Sequence, residues 1–243
     1  MAWFKEWFNT PYYHQLYRHR DYAEAEGFIR ALVNALELPP QAQVIDLACG
    51  KGRHSVFLNG MGYRVLGLDL SEESIAHNRQ WTSESLKFRV HDMRCPITEV
   101  AEVDAVFNLF TSFGFFDDPK DDFLVFDSVA GVLSAGGVFV LDFLNERHVR
   151  NTLVAESEVC VDGIVFRIHR KLEGNEVVKD IRFEDQGRSH HYFEKVKLHT
   201  LEEIHALAEK VGLVNEKIYG DYALNPFELE KSPRCINVFR KEK

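Results

Sequence analysis

Residues 44–55, VIDLACGKGRHS, constrain this chain more than any other segment. Val44, Ile45 and Leu47 read as a buried strand that runs into a tight turn, Ala48-Cys49-Gly50-Lys51-Gly52, and then into a helix. A second strand over 64–68 ends in Asp69. Small residues let a ligand approach the backbone closely, and a helix start offers unpaired N–H groups. An acid that ends the second strand can accept hydrogen bonds from both ribose hydroxyls. The arrangement predicts a nucleoside-containing cofactor.

The dinucleotide fingerprint is G-x-G-x-x-G/A, whose last small residue packs the helix onto the strand. Here the order is A-x-G-x-G, with Asp46 just before it and His54 where a late glycine would stand. The turn resembles motif I of the class I S-adenosylmethionine-dependent methyltransferases, D-x-x-x-G-x-G. By that resemblance Asp69, followed by Leu70, is the ribose acid. His91-Asp92-Met93 is then the segment that contacts adenine. The implied cofactor is S-adenosyl-L-methionine. The implied cofactor residues in and around the turn are Asp46, Ala48, Cys49, Gly50 and Gly52, with Asp46 ordering the glycine turn.

Along the chain, strands over 43–47, 64–68, 87–90, 105–108 and 138–142 alternate with helical segments. That alternation predicts an α/β fold with a doubly wound, mostly parallel sheet. After about residue 150 the pattern changes. Runs near 156–171, 176–186 and 189–199 alternate in polarity and are punctuated by Gly163, by Gly174-Asn175 and by Gly187, which predicts antiparallel strands with hairpin turns. A helix over 200–210, capped by Thr200, and two last strands over 214–219 and 235–240 complete the chain. The expected architecture is a Rossmann-like seven-stranded sheet with a small antiparallel β insertion. The expected division is 1–150 for an N-terminal helical lid and cofactor-binding core, 151–200 for the insertion, and 201–243 for a final helix and closing hairpin. The opening segment places Trp3, Phe4, Trp7 and Phe8 on one helical face.

Composition excludes several classes. A formal net charge of −9 argues against general nucleic-acid affinity, which needs a basic surface. No apolar run approaches the roughly 18 residues of a membrane span. No secretory leader is visible, and Cys49, Cys95, Cys160 and Cys235 are scattered without C-x-x-C spacing. A cytoplasmic protein with reduced thiols and no metal site is expected. Expected partners are a small-molecule methyl acceptor and, as an open alternative, a second copy of the chain in a homodimer.

Further pieces resemble the deoxyamino-sugar N,N-dimethyltransferase group. They are Tyr13 with Arg20-Asp21-Tyr22, the DLACGKG turn, HDMR over 91–94, the loop LFTSFG over 109–114, and the insertion with His190-His191 and the KLHT run over 197–200. The resemblance implies that Tyr13 and Tyr22 reach the carboxylate end of the cofactor and that Leu109 lines its adenosine or thioether side. Enzymes of that group can carry a histidine directly after the loop glycine. Here the position is Phe115, which accepts no proton. The aromatic density around Phe113 and Phe115 suits a cationic methyl donor. His191 and Arg234 are the other candidate substrate contacts; His190 and His191, adjacent in a strand, point to opposite faces. No catalytic residue is assigned. Methyl transfer to a nitrogen or oxygen nucleophile is the first reading. A non-catalytic S-adenosylmethionine-binding protein and a nicotinamide-dependent oxidoreductase are the alternatives.

Overall fold

The computed structural model describes residues 3–17 and 22–242, less the side chains of Lys5 and of residues 22–25. Three helices open the chain: α1 (Trp3–Trp7), α2 (Pro11–Leu16) and α3 (Tyr22–Leu36). The break between the first two follows the sequence. The Thr10 side chain accepts from the Tyr13 amide, and Pro11 takes the first helical position, where its missing N–H costs nothing.

The alternating core follows as β1 (Gln43–Leu47), α4 (Arg53–Gly60), β2 (Arg64–Asp69), α5 (Glu72–Asn78), β3 (Leu86–Val90), β4 (Val103–Asn108), α6 (Pro119–Val132), β5 (Leu133–Leu144) and α7 (Glu146–Thr152). Next come β6 (Glu156–Val161), β7 (Ile164–Glu173), β8 (Glu176–Asp185) and β9 (Arg188–Lys197), then α8 (Leu201–Glu209), β10 (Leu213–Tyr219) and β11 (Arg234–Lys241). The seven-stranded sheet has the order β10-β11-β5-β4-β1-β2-β3, parallel from β3 to β5, with β11 antiparallel to both β5 and β10. The strand order reverses between β1 and β4, so their carboxyl ends frame the crevice where open α/β sheets bind ligands.

The four strands β6–β9 form a separate antiparallel sheet. The run near 156–171 is two strands, joined at the Gly163 turn that the sequence signals. Asp162 (φ 50°) and Gly163 (φ 83°) are consecutive left-handed residues, the geometry of a tight primed hairpin turn. Helix α7 had no counterpart in the sequence reading; its cap is Asn145, whose side chain accepts from the Arg147 amide. The capping box of α8 is as expected, with Thr200 and Glu203 bonding each other's backbone.

Two cores meet at α1. Phe4 packs into the core of the large sheet, and Trp7 packs with Phe166, Ile168 and Ile181 of the small one. A buried ionic group fastens the small sheet from the other side. Lys197 at the end of β9 donates to Asp122 in the first turn of α6 (2.9 Å), and its amide donates to the Gly114 carbonyl (2.8 Å).

Gly67 in β2 has no room for a side chain: a Cβ there would lie 2.5 Å from the Phe88 ring and 2.9 Å from Ser55 Oγ. Gly67→Ala is expected to lower unfolding free energy by about 1–3 kcal/mol through overpacking. Gly131→Ala, on an exposed turn of α6 with open space around it, is expected to raise it by about 0.5–1 kcal/mol. Urea titrations of the two variants measure both.

Candidate functional site

The turn after β1 is built on left-handed residues: Ala48 (φ 62°), Gly50 (φ 51°) and Gly52 (φ 72°). The two glycines serve different needs. A Cβ on Gly50 would meet nothing within 4 Å, so that position leaves its surroundings open. A Cβ on Gly52 would sit 2.9 Å from Phe88, so there the constraint is packing. Helix α4 then begins without a side-chain cap, leaving its first amides available to a ligand.

Asp69 at the end of β2 faces this turn. Its Oδ2 accepts from the Gly50 amide (2.7 Å) and its Oδ1 from the Ser71 amide (2.8 Å). Each oxygen keeps a further lone pair for a ligand. Burial raises its pKa, and the two amides work against that rise. Asp46, behind the turn, is buried and accepts from Ser55 Oγ (2.6 Å). Burial lifts it to about 6, against the Ser55 hydrogen bond and with the help of the Asp69 charge. Asn78 closes the turn by donating to the Gly50 carbonyl (2.8 Å).

A cavity of about 470 Å³ extends from this turn. Its floor includes Ala48, Gly50, Asp69 and Leu70, with Asp92 and Met93 beside them. Its walls include Trp3, Phe8, Tyr13 and Phe115. Asp92 is held by Arg94, which reaches both its oxygens (3.0 and 2.6 Å) and also Asp121 (2.8 Å). The His91 amide donates to the Asp69 carbonyl (2.9 Å), tying the end of β3 to the end of β2.

The loop after β4 is held by a buried hub. Phe110 (φ 58°) and Thr111 (φ 62°) are both left-handed, which is strained for residues with side chains. Asp142 pins them: its Oδ2 accepts from the Phe110 amide (2.8 Å) and its carbonyl from the Thr111 amide (3.2 Å). Arg234 donates to Asp142 (2.8 Å) and to Thr111 Oγ1 (2.9 Å). The Phe110 ring lies between the imidazole of His54 (4.8 Å, stacked) and Tyr222 (4.9 Å). Arg53 donates to His54 Nε2 (3.0 Å). His54 is therefore a neutral imidazole, and burial, then the Arg53 charge, lowers its pKa to about 3.

The structure gathers some of the sequence candidates and separates others. Tyr13, Ala48, Gly50, Asp69, Leu70, Asp92, Met93, Phe115 and Arg234 line the cavity. Asp46, Cys49, Gly52 and Leu109 support the turn or the core and do not line it, and burial pushes the Cys49 thiol up. Phe113 is fully buried between Phe126 and Phe143, because its side chain turns into the core while Phe115 turns out of it. His191 lies on the outer face of β9, where its Nε2 meets Asp180 (2.6 Å). The strand alternation gives the inner face to His190, Tyr192 and Glu194 instead. His190 stacks on Phe183 (4.9 Å) away from the cavity. Arg234 is not a free surface charge but part of the Asp142 hub. Arg20, Asp21 and the Tyr22 side chain lie outside the described residues. Among the described residues no His/Cys/Asp/Glu cluster could hold a metal ion.

The sequence reading missed a polar row on the small sheet. Arg170 in β7 pairs with Lys179 in β8, which pairs with Glu194 in β9, and all three line the cavity. Glu194 accepts from Trp7 Nε1 (2.8 Å) and Tyr17 OH (2.6 Å), with Lys179 at 3.4 Å. The signal was present as charges that interrupt apolar inner faces: Ile168-x-Arg170-x-Leu172, Val177-x-Lys179-x-Ile181 and Tyr192-x-Glu194-x-Val196. His14 was also missed. It lines the cavity with a buried Nε2 that has no partner, and burial, then the nearby Lys51 and His77, lowers its pKa to about 4.

The methyltransferase-domain family matches residues 44–137, from the start of β1 into β5. The chain carries a methyltransferase domain. It is similar to a putative methyltransferase of Bacillus subtilis, YqeM (25% identity, covering 94% of this chain and 93% of that one). It is also similar to a dTDP-3-amino-3,4,6-trideoxy-alpha-D-glucopyranose N,N-dimethyltransferase of Streptomyces venezuelae (29% identity, 76% and 78%). In fold it matches an S-adenosylmethionine-dependent methyltransferase from Clostridium acetobutylicum, with a TM-score of 0.80, 18% identity and coverage of 96% and 97%. The family reading taken from the D-x-x-x-G-x-G turn therefore holds, and the oxidoreductase alternative falls away. No helix among the described residues is long and apolar enough to cross a membrane.

Two tests follow from the hub. Asp142→Asn removes the only charge on Asp142 and leaves the Arg234 guanidinium, 14% exposed, against a neutral amide. Loss of one partner of a buried pair is expected to cost about 3–5 kcal/mol, read by urea unfolding. His54 stays neutral in the folded methyltransferase to about pH 3 but titrates near 6.5 when unfolded. Below pH 6.5 the unfolded state binds the extra proton, so stability falls with pH. Between about pH 8 and about pH 5 this group contributes a loss of about 2 kcal/mol. His54→Phe, which keeps a ring against Phe110, is expected to remove that part of the pH dependence in paired melts.

Proposed function

We propose that the protein transfers a methyl group from S-adenosylmethionine to a nitrogen or oxygen of a small-molecule acceptor. The carrying observation is Asp69, whose carboxylate ends β2, lines the cavity and faces the Gly50 turn. The residues present fit the cofactor. The spare lone pairs of Asp69 suit the two ribose hydroxyls. The uncapped start of α4 and the open Gly50 suit the amino-acid end. By the resemblance Asp92 and Met93 would flank the adenine and Tyr13, which lines the cavity, would meet the carboxylate of the amino-acid moiety; the Tyr22 side chain, given the same role by the resemblance, lies outside the described residues.

When bound, the cofactor would supply an electrophilic methyl carbon on a cationic sulfur, with neutral S-adenosylhomocysteine as the leaving group and the acceptor's proton released to solvent. The chain contributes position and dryness. Holding the reacting groups in line can be worth about 7–11 kcal/mol. Trp3, Phe8 and Phe115 give the cavity aromatic walls that exclude water and favour a cation. Phe115 supplies packing and no proton acceptor.

The acceptor side is assigned to the small sheet, and the cofactor side to the large one. This follows the proposed division of the chain into 1–150, 151–200 and 201–243. The amino-sugar acceptor named for the Streptomyces relative supports a small nucleophile of that size without fixing its identity. Phe113, His191 and Leu109 are left out of the contact set, because they do not line the cavity.

Calorimetry with S-adenosylmethionine and with S-adenosylhomocysteine is expected to show one-site binding of each. Asp69→Ala is expected to weaken both about 10–100-fold, the equivalent of hydrogen bonds to a charged group. Circular dichroism of the variant checks that its fold survives the loss of the Gly50 and Ser71 acceptor. Absence of binding by folded wild-type protein would overturn the proposal.

A further inference from the structure

In the cross-strand row Arg170–Lys179–Glu194, Arg170 and Lys179 are directly opposite each other across paired strands, and Lys179 is opposite Glu194. Like charges in that position destabilise a sheet. Glu194 sits beside Lys179 (3.4 Å) and compensates it. Arg170 makes no ion pair with any described carboxylate. Its Nη1 donates to Ser157 Oγ (2.9 Å) and towards the Val154 carbonyl (3.4 Å), which fixes the plane of the guanidinium. The Nε and Nη2 donors, the side-on edge of the fork, have no partner among the described residues.

The surroundings make this a built feature. Arg170 is half-buried and lines the cavity. On the same face lie the apolar rows Ile168–Ile181–Tyr192 and Leu172–Val177–Val196. Trp3, whose indole N–H is buried and unpartnered, lines the same cavity. A guanidinium presented side-on from an apolar frame is matched by the paired oxygens of a carboxylate or a phosphate. A neutral ligand without such an oxygen pair leaves both Arg170 donors unmet.

We propose that the methyl acceptor carries an anionic oxygen pair, carboxylate or phosphate, that seats on Arg170, with an apolar body against Val177 and Val196. The inference rests on the reading that this cavity holds the acceptor, and it narrows that acceptor to an anionic small molecule. Arg170 is thereby a specificity-determining residue. It holds the far end of the acceptor and takes no part in moving the methyl group.

Tryptophan fluorescence tests this, since Trp3 lines the cavity and Trp7 donates to Glu194. The probes are inorganic phosphate, benzoate and the neutral benzamide, titrated with and without saturating S-adenosylhomocysteine. Saturable binding of benzoate, of phosphate or of both is expected, with none of benzamide at the same concentrations. The two anion arms tell a carboxylate seat from a phosphate seat. Arg170→Gln is expected to weaken anion binding about tenfold or more, and Arg170→Lys, which keeps the charge but loses the fork, to fall between. Arg167→Gln, on the outer face of the same strand beside Glu158, is expected to bind like wild type. Circular dichroism confirms that the variants fold. Binding of neither anion, equal binding of benzamide, or unchanged affinity in Arg170→Gln overturns the inference. Calorimetric binding of S-adenosylhomocysteine to the same sample separates this failure from failure of the methyltransferase reading, because that ligand does not depend on Arg170.

Discussion

The Asp69 carboxylate ties the turn that follows it to the Gly50 turn nineteen residues before it. One oxygen holds the Gly50 amide and the other the Ser71 amide. Parallel strands cannot share a hairpin, so beyond the last ladder bond, from the Cys49 amide to the Leu68 carbonyl (2.9 Å), the loops at the carboxyl ends of β1 and β2 need another tie. A buried acid at the end of one strand supplies that link. Its cost is visible in the raised pKa of Asp69 and in the raised pKa of Asp46 behind it. Two acids buried so close together are tolerated because each has donors: backbone amides for Asp69 and the Ser55 hydroxyl for Asp46. The crevice at the strand-order reversal owes its shape to this arrangement.

The second organising element is α1, a helix too short to be stable alone. It persists because its face is shared. Phe4 belongs to the core of the seven-stranded sheet and Trp7 to that of the four-stranded sheet. Trp3 touches Phe4, Phe8 and Phe115 within 6 Å between ring centroids. The same aromatic seam that joins the two sheets forms a wall of the cavity. Packing and the lining of the cavity are thus carried by the same side chains, and the Trp7 indole donates its N–H to Glu194 in that lining.

Most of the fold was legible because its signals are local. The apolar strand ending in a small-residue turn, the acid after the second strand, and the Thr200 cap each act within a few residues. The division of the insertion into four strands was legible for the same reason, since Gly163, Gly174 and Gly187 each mark a hairpin turn within a few residues. Helix α7 was missed because its seven residues bury no side chain and show no apolar period. The cavity wall around the Asp69 turn was readable from the turn itself. The wall supplied by the small sheet was not, because it depends on which face of each insertion strand points inward. His191 drew attention by its residue type, but the one-residue alternation places Glu194, not His191, towards the cavity. Arg234 does line the cavity, but the pair that anchors it was hidden for another reason. Its partner Asp142 lies ninety-two residues away, and only the pairing of β11 with β5 brings them together.

The roof of the cavity is laid in rungs, each made of one residue from β7, β8 and β9. Rungs can be exchanged one at a time without altering the loops around Asp69. On the proposed reading, divergence within such a scaffold has a cheap axis: descendants would trade one acceptor for another by rewriting a rung, while the turn held by Asp69 is inherited intact.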